Sequence, residues 1–116
     1  MTDIGGANVI SCELNRVGVD DLIIVSGGTG PHIGAVVIAD YTDSEVKIIS
    51  YGFPNHKEED LFIELAKVWC HTFQQKTVLL GGIHIDNATK AQIEDLVNQT
   101  WDKFFQFMLD QKNCKG

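Results

Sequence analysis

Two histidines in similar sequence contexts are the residues of this chain best suited to chemistry. His32 lies in LIIVSGGTGPHIGAVVIA (residues 22–39) and His84 lies in TVLLGGIHIDNAT (residues 77–89). In both segments an apolar stretch runs into a Gly-Gly pair and then reaches the histidine. Near neutral pH a histidine can act as a general acid or base, a metal ligand or a hydrogen-bond donor to phosphate. The two segments are therefore the candidate site, and a surface histidine in a long loop is the alternative for each.

The glycines of these segments let the backbone adopt positive φ and approach a ligand or another strand closely. Successive N–H groups in such a turn can also converge on an anion. Pro31 restricts the first turn further. The candidate ligand-binding residues in the two turns are Gly27, Gly28, Thr29, Gly30, His32, Gly81, Gly82 and His84.

The spacing of His84 and Asp86 places both side chains on one side of an extended strand, where they could hold a metal ion. No known short metal motif fits the chain, so we expect no metal. Asp86 and Asn87 could instead form the turn before Thr89. His56, near the start of the first predicted helix, could meet an anion there or be a plain surface residue.

Nucleophilic catalysis has little support in the sequence. The chain has no GxSxG motif, and Ser26 precedes a Gly-Gly pair instead of lying on a nucleophile elbow. Cys12 and Cys70 fall on or near core-facing positions, where a thiol behaves as a small hydrophobe. The turn GGTGPHIG lacks the Lys-Ser/Thr of a P-loop and the spacing of a Rossmann fingerprint. We therefore predict no catalytic residue.

Length and composition restrict the class of protein. A chain of 116 residues is expected to form one domain (1–116), with 1–6 and 111–116 as flexible termini. A net charge of −7 argues against nucleic acid and anionic membranes as partners, because both require clustered Lys and Arg. Three widely spaced cysteines, without a secretory signal or a bilayer-length apolar run, favour a cytoplasmic protein with reduced thiols.

The hydrophobic pattern predicts the element order ββββαβα, with strands at 8–17, 22–25, 33–39, 45–51 and 78–80. The first four strands are joined by short turns and are predicted to form a meander. Helical periodicity runs from Lys57 to about Gln75 behind Asn55 as N-cap, and again behind Thr89, with Gln92 completing a capping box. We expect an α+β domain whose five-stranded, mainly antiparallel sheet carries both helices on one face.

The opposite face of the sheet is predicted to be apolar as well. Leu22–Val25 and Ala35–Ile38 are apolar at successive positions, so alternate side chains must point away from the helices. Left open, these side chains would form a larger patch than monomers usually expose. We expect a homodimer through this face, and the pattern leaves open whether Ile23 or Ile24 points outward.

From Leu22 to about Leu96 the chain resembles the prenylated-flavin chaperone family, whose type members are the LpdD-like D subunits of gallate and hydroxybenzoate decarboxylase systems. The resemblance rests on GGTGPHIGAVVIA, PNHKEED and GGIHIDNAT. It implies a fold similar to proteasome-assembly chaperones, a UbiD-type decarboxylase as partner, and prenylated FMN or FMN as a transient ligand that is not tightly bound. The matching motif residues are candidates by position: His32, His56, His84, Asp86 and Asn87.

Three functions follow as hypotheses. The first is a non-catalytic accessory protein that binds a phosphorylated flavin, or the decarboxylase that receives it, through the glycine-rich turns. The second is an enzyme of unknown reaction with His32 and His84 as an acid/base pair, which requires the histidines to lie within about 10 Å of each other beside a shared cavity. The third is a dimeric scaffold in which the glycines are purely structural.

Overall fold

The computed structural model describes residues 10–29, 32–54 and 58–115, with side chains through Asn113. Its elements are β1 (Ile10–Val17), β2 (Asp20–Gly28), β3 (Ala35–Thr42), β4 (Glu45–Gly52), α1 (Glu59–Phe73), β5 (Thr77–His84) and α2 (Lys90–Lys115). The predicted α+β class and the order ββββαβα are confirmed. The predicted loose start, 1–6, lies outside the described residues, and α2 continues to Lys115 where the sequence predicted a tail after Asp110.

The strand order in the sheet is β1-β2-β5-β3-β4, so the predicted four-stranded meander is wrong. Strand β5 lies between β2 and β3, parallel to β2 and antiparallel to β3. The sheet is therefore mixed, although three of the four pairings between the described strands are antiparallel. Strand β5 carries the wholly apolar run Val78–Leu80, and the sheet centre buries such a run on both faces. Strands β2 and β3 consequently do not form a hairpin, and Thr29 and Gly34, which lie between them, each bond to a β5 carbonyl.

Both helices pack on the same face of the sheet, as predicted. Helix α1 covers β3, β4 and β5, and α2 packs against β1 and α1. The alternating pattern of β2 directs Ile23 and Val25 into this core, where they are fully buried. The same buried core contains residues of the other elements, among them Val37, Leu79, Phe62, Leu65, Trp69 and Phe104.

The start of α2 agrees with the sequence prediction, and the start of α1 does not. Thr89 and Gln92 form a reciprocal capping box, in which Gln92 N donates to Thr89 Oγ1 at 3.1 Å and Thr89 N donates to Gln92 Oε1 at 2.8 Å. The N-cap residue of α1 is Glu58, whereas the predicted cap Asn55 lies outside the described residues. Within the described part of the chain, neither helix has the length and apolar character needed to cross a membrane.

A buried carboxylate joins the sheet to the first helix. The Asp21 side chain is fully enclosed, and its Oδ2 accepts a hydrogen bond from Trp69 Nε1 at 2.9 Å. Its Oδ1 accepts from Arg16 Nε at 3.1 Å. Trp69 in turn stacks on Phe107 with ring centroids 5.6 Å apart. The hydrogen bond from Trp69 and the stacking on Phe107 hold the indole where β2, α1 and α2 meet, and the bond from Arg16 holds the carboxylate.

We predict that Asp21→Ala destabilises the fold by about 2–4 kcal/mol, because the Trp69 N–H and the Arg16 guanidinium both lose a buried acceptor. Urea unfolding followed by Trp fluorescence measures this change. The control is Glu64→Ala, which removes an exposed ion pair with Lys67 and should cost less than about 0.5 kcal/mol. Equal losses in the two variants would contradict a structural role for the buried carboxylate.

Candidate functional site

The two similar segments of the sequence lie side by side at one end of the sheet. Because β2 and β5 are parallel neighbours, Val25 pairs with Gly81 and Gly28 pairs with His84. The two Gly-Gly pairs and the histidines that follow them therefore meet at the same edge. The similarity of the two segments was a signal for parallel pairing, although the sequence prediction did not use it.

The fold brings His32 and His84 together. Their ring centroids are 5.6 Å apart and their planes are inclined at 54°. His84 Nε2 is 2.9 Å from Asp86 Oδ1, so the predicted proximity of His84 and Asp86 holds. His32 is exposed and His84 is half-buried, which leaves both rings accessible to a ligand.

Asn87 adopts a left-handed conformation with φ of 57° and is exposed. This geometry, together with the turn assigned to Asp86 and Asn87, agrees with the turn-forming alternative for the pair. Asp86 also faces His84, so it combines a place in the turn with a place at the site.

Glycine is required at this edge for contacts between backbone segments. A Cβ on Gly28, whose φ is +86°, would lie 1.9 Å from the carbonyl oxygen of His84. A Cβ on Gly81 would lie 1.7 Å from the carbonyl oxygen of Val25, and one on Gly82 would lie 2.0 Å from that of His32. Gly28 and Gly81 therefore give space to a neighbouring strand, and Gly82 gives space to the backbone at His32, just before β3.

Two amides of the first turn are used in the protein itself. Thr29 N donates to the His84 carbonyl at 2.7 Å, and Gly34 N donates to the Gly81 carbonyl at 2.7 Å. These N–H groups are therefore not available to an anion in the predicted nest. Gly27 is buried near the end of strand β2. Gly30, Pro31 and His56 lie outside the described residues.

A cavity of about 290 Å³ opens beside His84. It lies between the start of α1, the end of β5 and the first half of α2, and most of its lining is apolar. The residues that line it are Glu58, Leu61, Ile83, His84, Ile85, Ala88, Ile93, Leu96, Val97 and Thr100. Its volume falls at the lower limit of ligand sites, which measure about 300–1,000 Å³ and combine apolar walls with a few polar groups.

Glu58 is the polar residue of this cavity that the sequence prediction missed. Its Oε2 accepts a hydrogen bond from the backbone N–H of Ile83 at 3.3 Å, at the point where β5 has passed its last pairing with β3. The same oxygen lies 3.1 Å from the Cβ position of Gly82. In the sequence Glu58 fits a capping position, so only the three-dimensional fold shows that it faces the cavity.

Neither a metal centre nor a reactive thiol is found at this edge in the described part of the chain. No three His, Cys, Asp or Glu side chains among residues 10–29, 32–54 and 58–113 are arranged to hold a metal ion. Burial raises the pKa of the Cys12 thiol to about 11, against a smaller opposing effect of Lys103. Burial also raises the pKa of Cys70, whose Sγ contacts the Ala39 carbonyl at 3.7 Å.

A five-stranded mixed sheet with two helices on one face defines an α+β domain, with a pair of histidines at its glycine-rich edge and a small apolar cavity beside them. Residues 5–112 match the family model described as prenylated flavin chaperone LpdD-like domain. Over 91 residues the chain is 35% identical to Protein LpdD of Lactiplantibacillus plantarum. The aligned region covers 77% of this chain and 67% of that protein. The chain belongs to the prenylated flavin chaperone LpdD-like family.

We predict that Gly28→Ala is far more disruptive than Gly18→Ala. Both glycines have positive φ, but a Cβ on Gly18 meets nothing within 4 Å, whereas one on Gly28 collides with the His84 backbone. Gly18→Ala should cost about 1–2 kcal/mol, the ordinary penalty for a left-handed residue. Gly28→Ala should cost clearly more and shift the His84 ring resonances in an NMR spectrum. Similar losses and an unchanged His84 signal would contradict the contact.

We also predict that Cys12 and Cys70 resist alkylation in the folded protein. At pH 8 a thiol with a pKa of about 11 is thiolate in roughly one molecule in a thousand, and only the thiolate reacts. Iodoacetamide labelling followed by peptide mass mapping should therefore modify both residues in urea but not in the native state. Rapid native labelling of either peptide would contradict the assignment of both cysteines as buried, unreactive thiols.

Proposed function

We propose that this chain is a non-catalytic accessory protein that binds prenylated FMN transiently, in the cytoplasm, and delivers it to a UbiD-type decarboxylase. Membership of the prenylated flavin chaperone family supports the general role. The observation that carries the binding proposal is the apolar cavity that opens directly beside the two histidines.

The lining of the cavity fits the apolar end of a prenylated flavin. Seven of the ten lining residues are apolar, with Ile83 and Leu61 on one side and Ile93, Leu96 and Val97 on the other. A cavity of about 150 Å³ with such walls holds one benzene ring. A volume of about 290 Å³ therefore accepts the dimethylbenzene and prenyl-derived rings, but not the whole nucleotide.

The charges at the rim favour a phosphate outside the cavity. Glu58 lines the interior and would repel a phosphate placed there. His32 and His84 lie at the exposed edge and can donate hydrogen bonds to phosphate oxygens. This arrangement would hold the flavin by one end and leave the rest accessible. Partial enclosure suits a protein that must release its ligand to a second protein.

The acid/base enzyme remains a second candidate, because one observation favours it. The 5.6 Å between the two ring centroids is well inside the 10 Å limit set for that hypothesis, and His84 lines the cavity. Asp86 could orient the His84 ring, as the third member of an acid/base arrangement does. An enzyme would change the bound flavin chemically, whereas an accessory protein would return it unaltered.

We predict that co-expression with a flavin prenyltransferase yields wild-type protein carrying prenylated FMN, detected by absorbance and by mass analysis of the released ligand. Ile93→Asp places a charge at the apolar wall on a half-exposed residue and should lower occupancy at least tenfold. His84→Ala should lower it about tenfold through the lost phosphate contact. Leu109→Asp, on the same helix but outside the cavity lining, is the matched control and should bind as the wild type does.

Wild-type protein free of flavin under these conditions would contradict the proposed function. A ligand whose mass changes during incubation with wild-type protein but not with His84→Ala would instead identify an enzyme.

A further inference from the structure

Three consecutive acidic residues lie at the start of α1, and one of them faces the cavity. Glu58 is the N-cap residue, but its side chain makes no capping hydrogen bond to its own helix. Its carboxylate reaches across to β5, where Oε2 accepts from the backbone N–H of Ile83. Glu59 instead accepts from Ser50 Oγ at 2.6 Å on β4. Asp60 is exposed, and neither it nor Glu59 lines the cavity.

The end of β5 holds the Glu58 carboxylate at the cavity wall. The pairing of β5 with β3 ends at Gly81, which lies opposite Ala35. An amide beyond that point needs another acceptor, because an unsatisfied backbone donor is costly inside a protein. The Glu58 carboxylate is the acceptor for the Ile83 amide. The acidic group is therefore held where α1 and β5 meet.

The balance of charge around the cavity is negative among the described residues. Both helices begin beside it, and each helix N-terminus carries about half a positive charge. The first turn of α1 offsets its share with Glu59 and Asp60, in addition to Glu58 at the cap. Asp86 lies 2.9 Å from His84 Nε2, so this pair carries no net positive charge in either protonation state of the histidine.

The other groups of the lining offer an anion little compensation. Leu61, Ile93 and Leu96 contribute apolar wall, and an anion loses hydration when it enters such a space. Thr100 donates its hydroxyl to the Leu96 carbonyl at 2.7 Å, so this proton is used within α2. At the effective dielectric constant of a protein site, two charges interact about four times more strongly than in bulk water. One carboxylate on the wall is therefore sufficient to disfavour a second anion.

We propose that Glu58 makes the cavity selective by charge, so that it accepts neutral ring systems and rejects ring systems that carry an anionic group. The inference concerns the same cavity as the proposed function and rests on it only for the identity of the natural ligand. It also assigns to Glu58 the orientation of a ligand that has both a ring system and a phosphate. Such a ligand enters with its ring end, because the carboxylate repels the phosphate end.

Two ring compounds that differ in charge but not in shape test this inference. 2-Naphthamide and 2-naphthoate share one fused-ring skeleton, and at neutral pH the first is uncharged and the second is an anion. Glu58→Gln removes the negative charge but keeps an oxygen that can accept from the Ile83 amide. Glu94→Gln removes the same charge from an exposed residue of α2 outside the cavity lining, and is the matched control.

Calorimetric titration of each protein with each compound gives the dissociation constants. We expect wild-type protein and Glu94→Gln to bind 2-naphthamide at least about tenfold more tightly than 2-naphthoate. Glu58→Gln should bind 2-naphthoate about tenfold more tightly than the wild type does. Its affinity for 2-naphthamide should stay within about twofold of the wild type, because the shape of the cavity is retained.

Three results would overturn the inference: wild-type protein that binds both compounds equally, wild-type protein that does not bind 2-naphthamide, or a preference that Glu58→Gln leaves unchanged. A purely structural role for Glu58 would weaken the binding of both compounds alike. Selection of the neutral compound by a wild-type protein that acquires no flavin on co-expression would contradict the proposed function alone. A flavin-loaded protein without charge selection would contradict the role of Glu58 alone.

Discussion

The insertion of β5 between β2 and β3 is the constraint on which the site depends. The insertion requires backbone segments to approach more closely than side chains permit, and Gly28, Gly81 and Gly82 provide that space. Once β5 is in place, the amides of Thr29 and Gly34, which lie between β2 and β3 in sequence, bond to β5 carbonyls. His32 is thereby held beside His84. The paired histidines are thus a consequence of strand order.

Local features were well predicted from the sequence because neighbouring residues determine them. The alternation of β2, the apolar stripe of α1 and the Thr89–Gln92 capping box are all recognisable within a few residues. Strand order was not predicted, because it depends on partners far apart in the chain. The meander prediction assumed that consecutive strands pair. In the structure the apolar β5 lies between β2 and β3 at the sheet centre, so these two strands do not pair.

Part of the candidate site was predicted because some of its residues are recognisable from local sequence, and the rest was missed because it depends on the fold. His32, His84 and Asp86 are distinctive by type and spacing, and the structure brings them together. Glu58 was missed because its position before a helix has an ordinary explanation in capping. The cavity was missed because Leu61, Ile83 and Ile93 come from three different elements that only the fold assembles. The glycines were recognised as important, but their contacts are with the protein backbone.

The cavity and the sheet face opposite the helices are separate in position and in chemistry. The cavity opens on the helix side, between α1, β5 and α2, and has an acidic group inside and histidines at its edge. The sheet face opposite the helices lies on the other side of the sheet, where the strand registers align Glu13 with the apolar row Ile24, Leu80, Val36 and Tyr51. A dimer through the sheet face would therefore leave both cavities accessible to a flavin and to a client enzyme.

Backbone amide NMR during titration with prenylated FMN tests the central claim most directly. The account predicts that chemical-shift changes concentrate at residues 58–61, 83–88 and 93–100, together with His32, and that Leu22, Ile38 and Ile49 remain unaffected. Changes concentrated on the sheet face opposite the helices, or a spectrum that does not respond to the flavin at all, would contradict it.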